Sequence, residues 1–132
     1  MLPKKILVRR EEDYHTHYVG KYGNNLTFIG FNFFGGSSQT RPIAVLHLLD
    51  SNGSLTSSEI WEKAKIGDAE LELKKAIEHL DNARYCDVET TTFGVVLNGL
   101  TFGFIAREDL KCIEYQPYGL AFFAPWNGYY DT

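Results

Sequence analysis

The run Ile43-Ala44-Val45-Leu46-His47-Leu48-Leu49 sets the terms on which this chain can fold. Arg41-Pro42 precedes it and Asp50-Ser51-Asn52-Gly53 closes it. A near-continuous apolar run between turn signals reads as a strand covered on both faces, or, on periodicity alone, as a short buried helix. Its Val and Ile favour the strand. Such a strand needs neighbours at its sides and apolar cover over each face.

The neighbours are legible in order. Residues 5–10 read as a first strand and 18–22 as a second. Gly23-Asn24-Asn25 supplies turn residues that tolerate positive φ. Residues 26–34 form a third strand with two apolar faces: Leu26, Phe28, Gly30, Asn32 and Phe34 on one side, Thr27, Ile29, Phe31 and Phe33 on the other. Residues 35–40 are the most loop-like stretch of the chain. After the organising strand, Asn52-Gly53 marks a hairpin. Residues 54–61 are assigned to a strand, with a helix starting within 57–64 as the alternative.

The cover comes from one helix, placed at 68–83 with Asp68 as its N-cap. Leu73, Ala76, Ile77 and Leu80 form its apolar stripe, and Glu70 and Lys74 an i, i+4 pair. Residues 87–97 return to strand, Asn98-Gly99 turns the chain, and 100–106, 111–115 and 120–123 complete the set. The expected fold is α+β: a single domain over 1–132, with one twisted, mainly antiparallel sheet of about seven or eight strands, curling partly closed and packed by the helix.

Composition narrows function mainly by exclusion. Net charge is −4, with residues 1–66 at +2 and residues 67–132 at −6. An acidic chain lacks the basic stripe that displaces counterions from nucleic acid, and no helix-turn-helix or zinc-finger pattern is present. Lys4, Lys5, Arg9 and Arg10 are the one basic cluster, read as a charged edge strand offset by Glu11, Glu12 and Asp13. The apolar centre of the N-terminal segment is too short for a signal peptide or a membrane span, so a cytoplasmic location is expected. Cys86 and Cys112 read as small core residues.

For chemistry, His15 and His17 would share a face on an extended backbone, and His47 offers a third metal ligand. No Cys or carboxylate completes a recognisable spacing, and structural histidines are the commoner explanation. Asp13, Asp50, Glu59 and Asp131 are not placed in pairs by the sequence, and no nucleophile–base spacing or phosphate loop is visible. Neither catalysis nor a cofactor is expected.

The recognition candidates lie in the last seven residues and on the helix. Trp126, Tyr129, Tyr130 and Asp131 combine aromatic anchors with negative charge, and Glu70, Glu72 and Glu78 add carboxylates. The competing reading is that the tail folds back to cap the sheet.

Three stretches together resemble a bacterial family of small proteins labelled formate hydrogenlyase regulatory protein. They are Asp13-Tyr14-His15-Thr16-His17 followed by Gly20, Ala44-Val45-Leu46-His47-Leu48-Leu49-Asp50 with Gly53, and the ending from Leu120 through Trp126-Asn127-Gly128-Tyr129-Tyr130-Asp131-Thr132. Arg84-Tyr85-Cys86-Asp87 and Gly99-Leu100-Thr101-Phe102-Gly103 follow in matching order. The loop before Ile43 and the helix region after Trp61 are shorter than in that pattern. The resemblance implies regulation of hydrogenase or formate metabolism through a transcription factor or DNA, and no catalytic residues. Size, acidic bias and aromatic tail point instead to a protein-binding protein, most concretely an immunity-type inhibitor that blocks a basic toxin domain. A small metal-dependent enzyme around the three histidines is the third class.

Overall fold

The structure is a computed structural model that describes residues 2–12, 14–33 and 42–132. The expected loop at 35–40, together with Asp13, Phe34 and Arg41, lies outside the described residues.

The organising strand is a strand: β4 (Ile43–Leu49) pairs antiparallel with β3 (Leu26–Phe33) on one side and β5 (Leu55–Glu62) on the other. Residues 57–62 are therefore extended and not the start of a helix. With β2 (Val19–Tyr22) and β6 (Arg84–Tyr85) they form a five-stranded sheet in the order β5-β4-β3-β2-β6. The β4–β5 loop is tied by Asp50, whose carboxylate accepts the backbone N–H of Asn52 and of Ser54, while Gly53 takes φ 82°.

A second five-stranded sheet lies against the first. It contains β8 (Phe93–Leu97), β9 (Leu100–Arg107), β10 (Cys112–Gln116), β11 (Leu120–Phe122) and β12 (Tyr130–Asp131). Asn98 and Gly99 at the β8–β9 turn have φ 50° and 80°, the left-handed pair that a two-residue hairpin of this twist requires. β1 (Lys5–Val8) and β7 (Val88–Thr91) make a separate two-stranded ladder. The architecture is α+β and antiparallel, but its strands divide among three open sheets where one sheet was expected. Residues 87–97, expected as one strand, break at Thr92: β7 joins β1 and β8 joins β9.

The two apolar faces of β3 and β4 explain the layering. Ile29, Phe31, Ile43, Val45 and Leu49 pack with Phe102, Phe104, Ile113, Tyr115 and Phe122 of the second sheet. Phe28, Ala44 and Leu46 face the other way and pack with Ala69, Leu73 and Ile77 of α1 (Ile66–Glu78). The helix approaches closely because of Gly30, where a Cβ would sit 2.7 Å from Tyr18 Cβ and 3.1 Å from Leu73 Cδ1.

The helix runs 66–78, not 68–83. Lys65 occupies the N-cap position without a side-chain cap, and Asp68 lies in the first turn, where its charge suits the helix dipole. At the other end His79 Nδ1 lies 2.6 Å from the Lys75 carbonyl oxygen. Asn82 then turns left-handed at φ 52°, so that Arg84 and Tyr85 can pair with β2. No helix among the described residues is long and apolar enough to cross a membrane.

Candidate functional site

The turn between β1 and β2 is held from inside. Thr16, fully buried, donates its hydroxyl to the Arg9 carbonyl at 2.8 Å, and the Glu11 N–H meets the Thr16 carbonyl at 3.3 Å. His17 N–H donates to the Tyr14 carbonyl at 3.0 Å. The segment is thus a knotted turn and not the extended backbone that would aim His15 and His17 the same way.

The turn throws Arg9 and Arg10 onto aromatic rings. Arg9 lies over Tyr129, 5.0 Å from its centroid, donates Nε–H to the Asn127 carbonyl at 2.8 Å and pairs with Asp87 at 3.4 Å. Arg10 lies over Tyr85 at 4.8 Å, donates Nε–H to the His17 carbonyl at 3.0 Å and sits 3.0 Å from His17 Nδ1. Its backbone N–H donates to Asp87. The expected solvated edge is instead engaged: the Arg9 guanidinium pairs with Asp87, far along the chain, while the Arg10 guanidinium meets the His17 carbonyl and ring and only its backbone N–H reaches Asp87.

The tail does fold back onto the sheet. β12 pairs with β11, and Trp126 and Tyr130 are half-buried against the inter-sheet core. The Tyr130 hydroxyl donates to Glu11. Burial first, then the Glu11 carboxylate, push the Tyr130 phenol upward. Gly128, at φ 92°, lets the turn pass Arg9 and Leu7, where a Cβ would come within 2.6 Å of Arg9 Cγ. Tyr129 and Asp131 stay exposed.

Tyr14 joins two clefts. The first, about 480 Å³, is lined by Tyr14, His15, His17, Tyr18, Asn32, Glu70, Lys74 and Tyr118. The second, about 430 Å³, runs from Tyr14 along Arg9, Arg10 and Asp87 to Tyr129 and Tyr130. In the first cleft Tyr18 donates its hydroxyl to Glu70 at 2.5 Å, and burial together with that carboxylate raises its phenol. Glu70 therefore serves Tyr18, and no ion pair joins it to Lys74 among the described residues, contrary to the expected helical pair. Tyr118 donates to the Asn32 backbone carbonyl at 2.6 Å, while the Asn32 side-chain oxygen is buried without a partner.

Of the expected recognition residues, Tyr129 and Tyr130 share the second cleft and Glu70 lines the first. Glu78 lies close enough to Tyr85 to raise its phenol, which burial raises first and Arg10 lowers. Glu72 points to the other flank of the helix, where Lys63 holds it at 3.5 Å. Tyr14, Tyr85 and Tyr129, exposed at 61%, 42% and 65%, ring the arginine pair. The tyrosines Tyr14 and Tyr85 were not singled out by sequence. Their signal was present only as turn-flanking aromatics, and nothing in spacing joined them to Tyr129.

The histidines do not form one site. His47 is buried between the sheets, its Nδ1 2.7 Å from the Ser58 hydroxyl and its Nε2 unpartnered, against Phe93 and Phe102. His15 and His17 both line the first cleft. No cluster of three or more metal-ligating side chains occurs among the described residues.

Compared with protein-family models, curated proteins and solved structures, the chain matches none. The antiparallel α+β fold and its tyrosine-ringed face thus define the molecule by themselves, and the family resemblance rests on the sequence stretches alone.

Proposed function

We propose that this chain is a non-enzymatic, cytoplasmic protein-binding protein of the immunity type, which blocks a toxin domain by covering it. The observation that carries the reading is the ring of three exposed tyrosines around the Arg9–Asp87–Arg10 cluster. Tyrosines with apolar bodies and polar tips are suited to protein contacts. Here Arg10 lies over Tyr85, Arg9 over Tyr129, and Tyr14 stacks on His15, so little side-chain freedom is lost on binding. Glu70, Glu78 and Asp131 border the face and suit a basic partner. The contact set is accordingly Tyr14, Tyr85, Tyr129, Glu70, Glu78 and Asp131, with Trp126 and Tyr130 supporting it from beneath and Glu72 outside it.

The test is capture of the tagged chain from its native host, in parallel with a Tyr14→Ala/Tyr129→Ala variant. A basic toxin-like protein held near stoichiometrically by the wild type and released by the variant is the expected result. A transcription factor or hydrogenase-maturation component held instead would replace this reading with the regulatory one implied by the resemblance.

A further inference from the structure

We infer that the first cleft is a seat for an alkylguanidinium group, received between the rings of Tyr14, His15, Tyr18 and Tyr118 and held by Glu70 and Asn32. The reading concerns a small group; it shares Tyr14 and Glu70 with the proposed partner-contact set but does not depend on a protein partner.

Twice on this face a guanidinium of the chain lies about 5 Å from a tyrosine ring while its N–H groups meet acceptors from the β1–β2 turn or the tail: Arg9 at Tyr129 with the Asn127 carbonyl, Arg10 at Tyr85 with His17. A planar, weakly hydrated cation with several donors is the group that such ring-plus-acceptor seats fit. The first cleft repeats the aromatic and acceptor composition, and among the described residues its one lysine or arginine is the exposed Lys74. Its walls are aromatic: Tyr14 stacks on His15 at 4.0 Å, and Tyr118 closes on His15 at 4.7 Å. Its acceptors are not all used. Glu70 takes one hydrogen bond, from Tyr18, and a carboxylate can accept several. The Asn32 side-chain oxygen takes none among the described residues, although buried acceptors normally find a donor.

Among the described residues lining the cleft, Lys74 is the one lysine or arginine opposing a bound cation. It is exposed and makes no ion pair among the described residues. This gives the site opposite responses to two conservative changes. Glu70→Gln keeps an oxygen for the Tyr18 hydroxyl but removes the negative charge. Lys74→Gln removes the repelling charge from an exposed position.

The experiment is an NMR titration of the full, nitrogen-15-labelled chain with ethylguanidinium and, separately, N-acetylarginine methylamide. Saturable shifts centred on Tyr14, His15, Tyr18 and Glu70 are expected, weakened roughly tenfold by Glu70→Gln and tightened about two- to threefold by Lys74→Gln. Tighter binding of the arginine amide than of ethylguanidinium would assign the seat to an arginine side chain of a polypeptide; the reverse order would assign it to a free small guanidinium. Absence of saturable shifts, shifts centred elsewhere, or equal affinity in the Glu70→Gln chain would overturn the inference.

Discussion

Arg9 lies with its guanidinium 5.0 Å from the centre of the Tyr129 ring, joining the exit of β1 to the last turn of the chain. The same arginine donates to the Asn127 carbonyl, and the next turn is tied by Tyr130 to Glu11. The tail therefore has two kinds of tyrosine: Tyr130 acts inward and Tyr129 outward.

That division predicts separable mutants. Tyr130→Phe removes the hydroxyl bond to Glu11 and should cost about 1 kcal/mol of stability in urea unfolding. Tyr129→Ala, at a largely exposed position, should cost less than about 1 kcal/mol, since an exposed cation–π contact is all it loses. Removing residues 126–132 outright would also remove β12, so a binding defect in that truncation could not be separated from a folding defect. An unfolding midpoint moved more by Tyr129→Ala than by Tyr130→Phe would contradict the assignment of inward and outward roles.

Two glycine changes should act with opposite signs. At Gly30 a new methyl meets Tyr18 Cβ at 2.7 Å beneath the helix, and Gly30→Ala should destabilise by about 1–3 kcal/mol. At Gly67, in the first turn of α1, a Cβ meets nothing within 4 Å. Gly67→Ala should therefore stabilise by roughly 0.5–1 kcal/mol, through the lower helix propensity of glycine. Paired urea denaturation curves check both, and a neutral Gly30→Ala would mean that the helix is not seated on β3 as described.

Burial between the sheets lowers the His47 imidazole from its ordinary 6.5 to about 4. The unfolded chain then takes up a proton that the folded chain refuses. Stability from this group is complete above about pH 6.5 and falls as pH drops towards 4, by about 3 kcal/mol in all. His47→Gln, which keeps a partner for Ser58 but does not titrate, should flatten that part of the profile. The measurement is chemical denaturation of both proteins at intervals from pH 7.5 to 4, and parallel curves would remove the assignment.

The layering was legible because β3 and β4 alternate strictly. Phe28 and Leu46 had to face one cover and Ile29 and Val45 another, which is where α1 and the second sheet sit. The hairpin at Asn98-Gly99 was legible for a similarly local reason, the left-handed backbone it needs. The break at Thr92 was not, since it depends on Val88 finding Val8 across the chain while Phe93 finds Phe104. Nor was the helix end, which the β2–β6 pairing imposes on residues of good helical character. The clefts draw on residues from 9–11, 14–18, 32, 70, 74, 87, 118 and 128–130, brought together only by folding. Tyr129 was found because it stood in an aromatic tail, whereas Tyr14 and Tyr85 become its neighbours only through Arg9 and Arg10.

The partner-binding reading places the energy in that tyrosine ring and leaves the far flank of the helix outside it. Glu72, held by Lys63 on that flank, then serves as an internal control. Once a partner is in hand, Tyr14→Ala and Tyr129→Ala should each weaken it by roughly 2 kcal/mol, about thirtyfold, the scale of aromatic hot spots. Glu70→Gln and Glu78→Gln should act mainly on association rate and salt dependence, as charges at the border of an interface do. Glu72→Gln should change neither affinity nor rate. Surface plasmon resonance at low and physiological salt reads all of these together. Full affinity in the doubly substituted Tyr14/Tyr129 chain, or a large loss in Glu72→Gln, would move the contact surface off this face of the molecule.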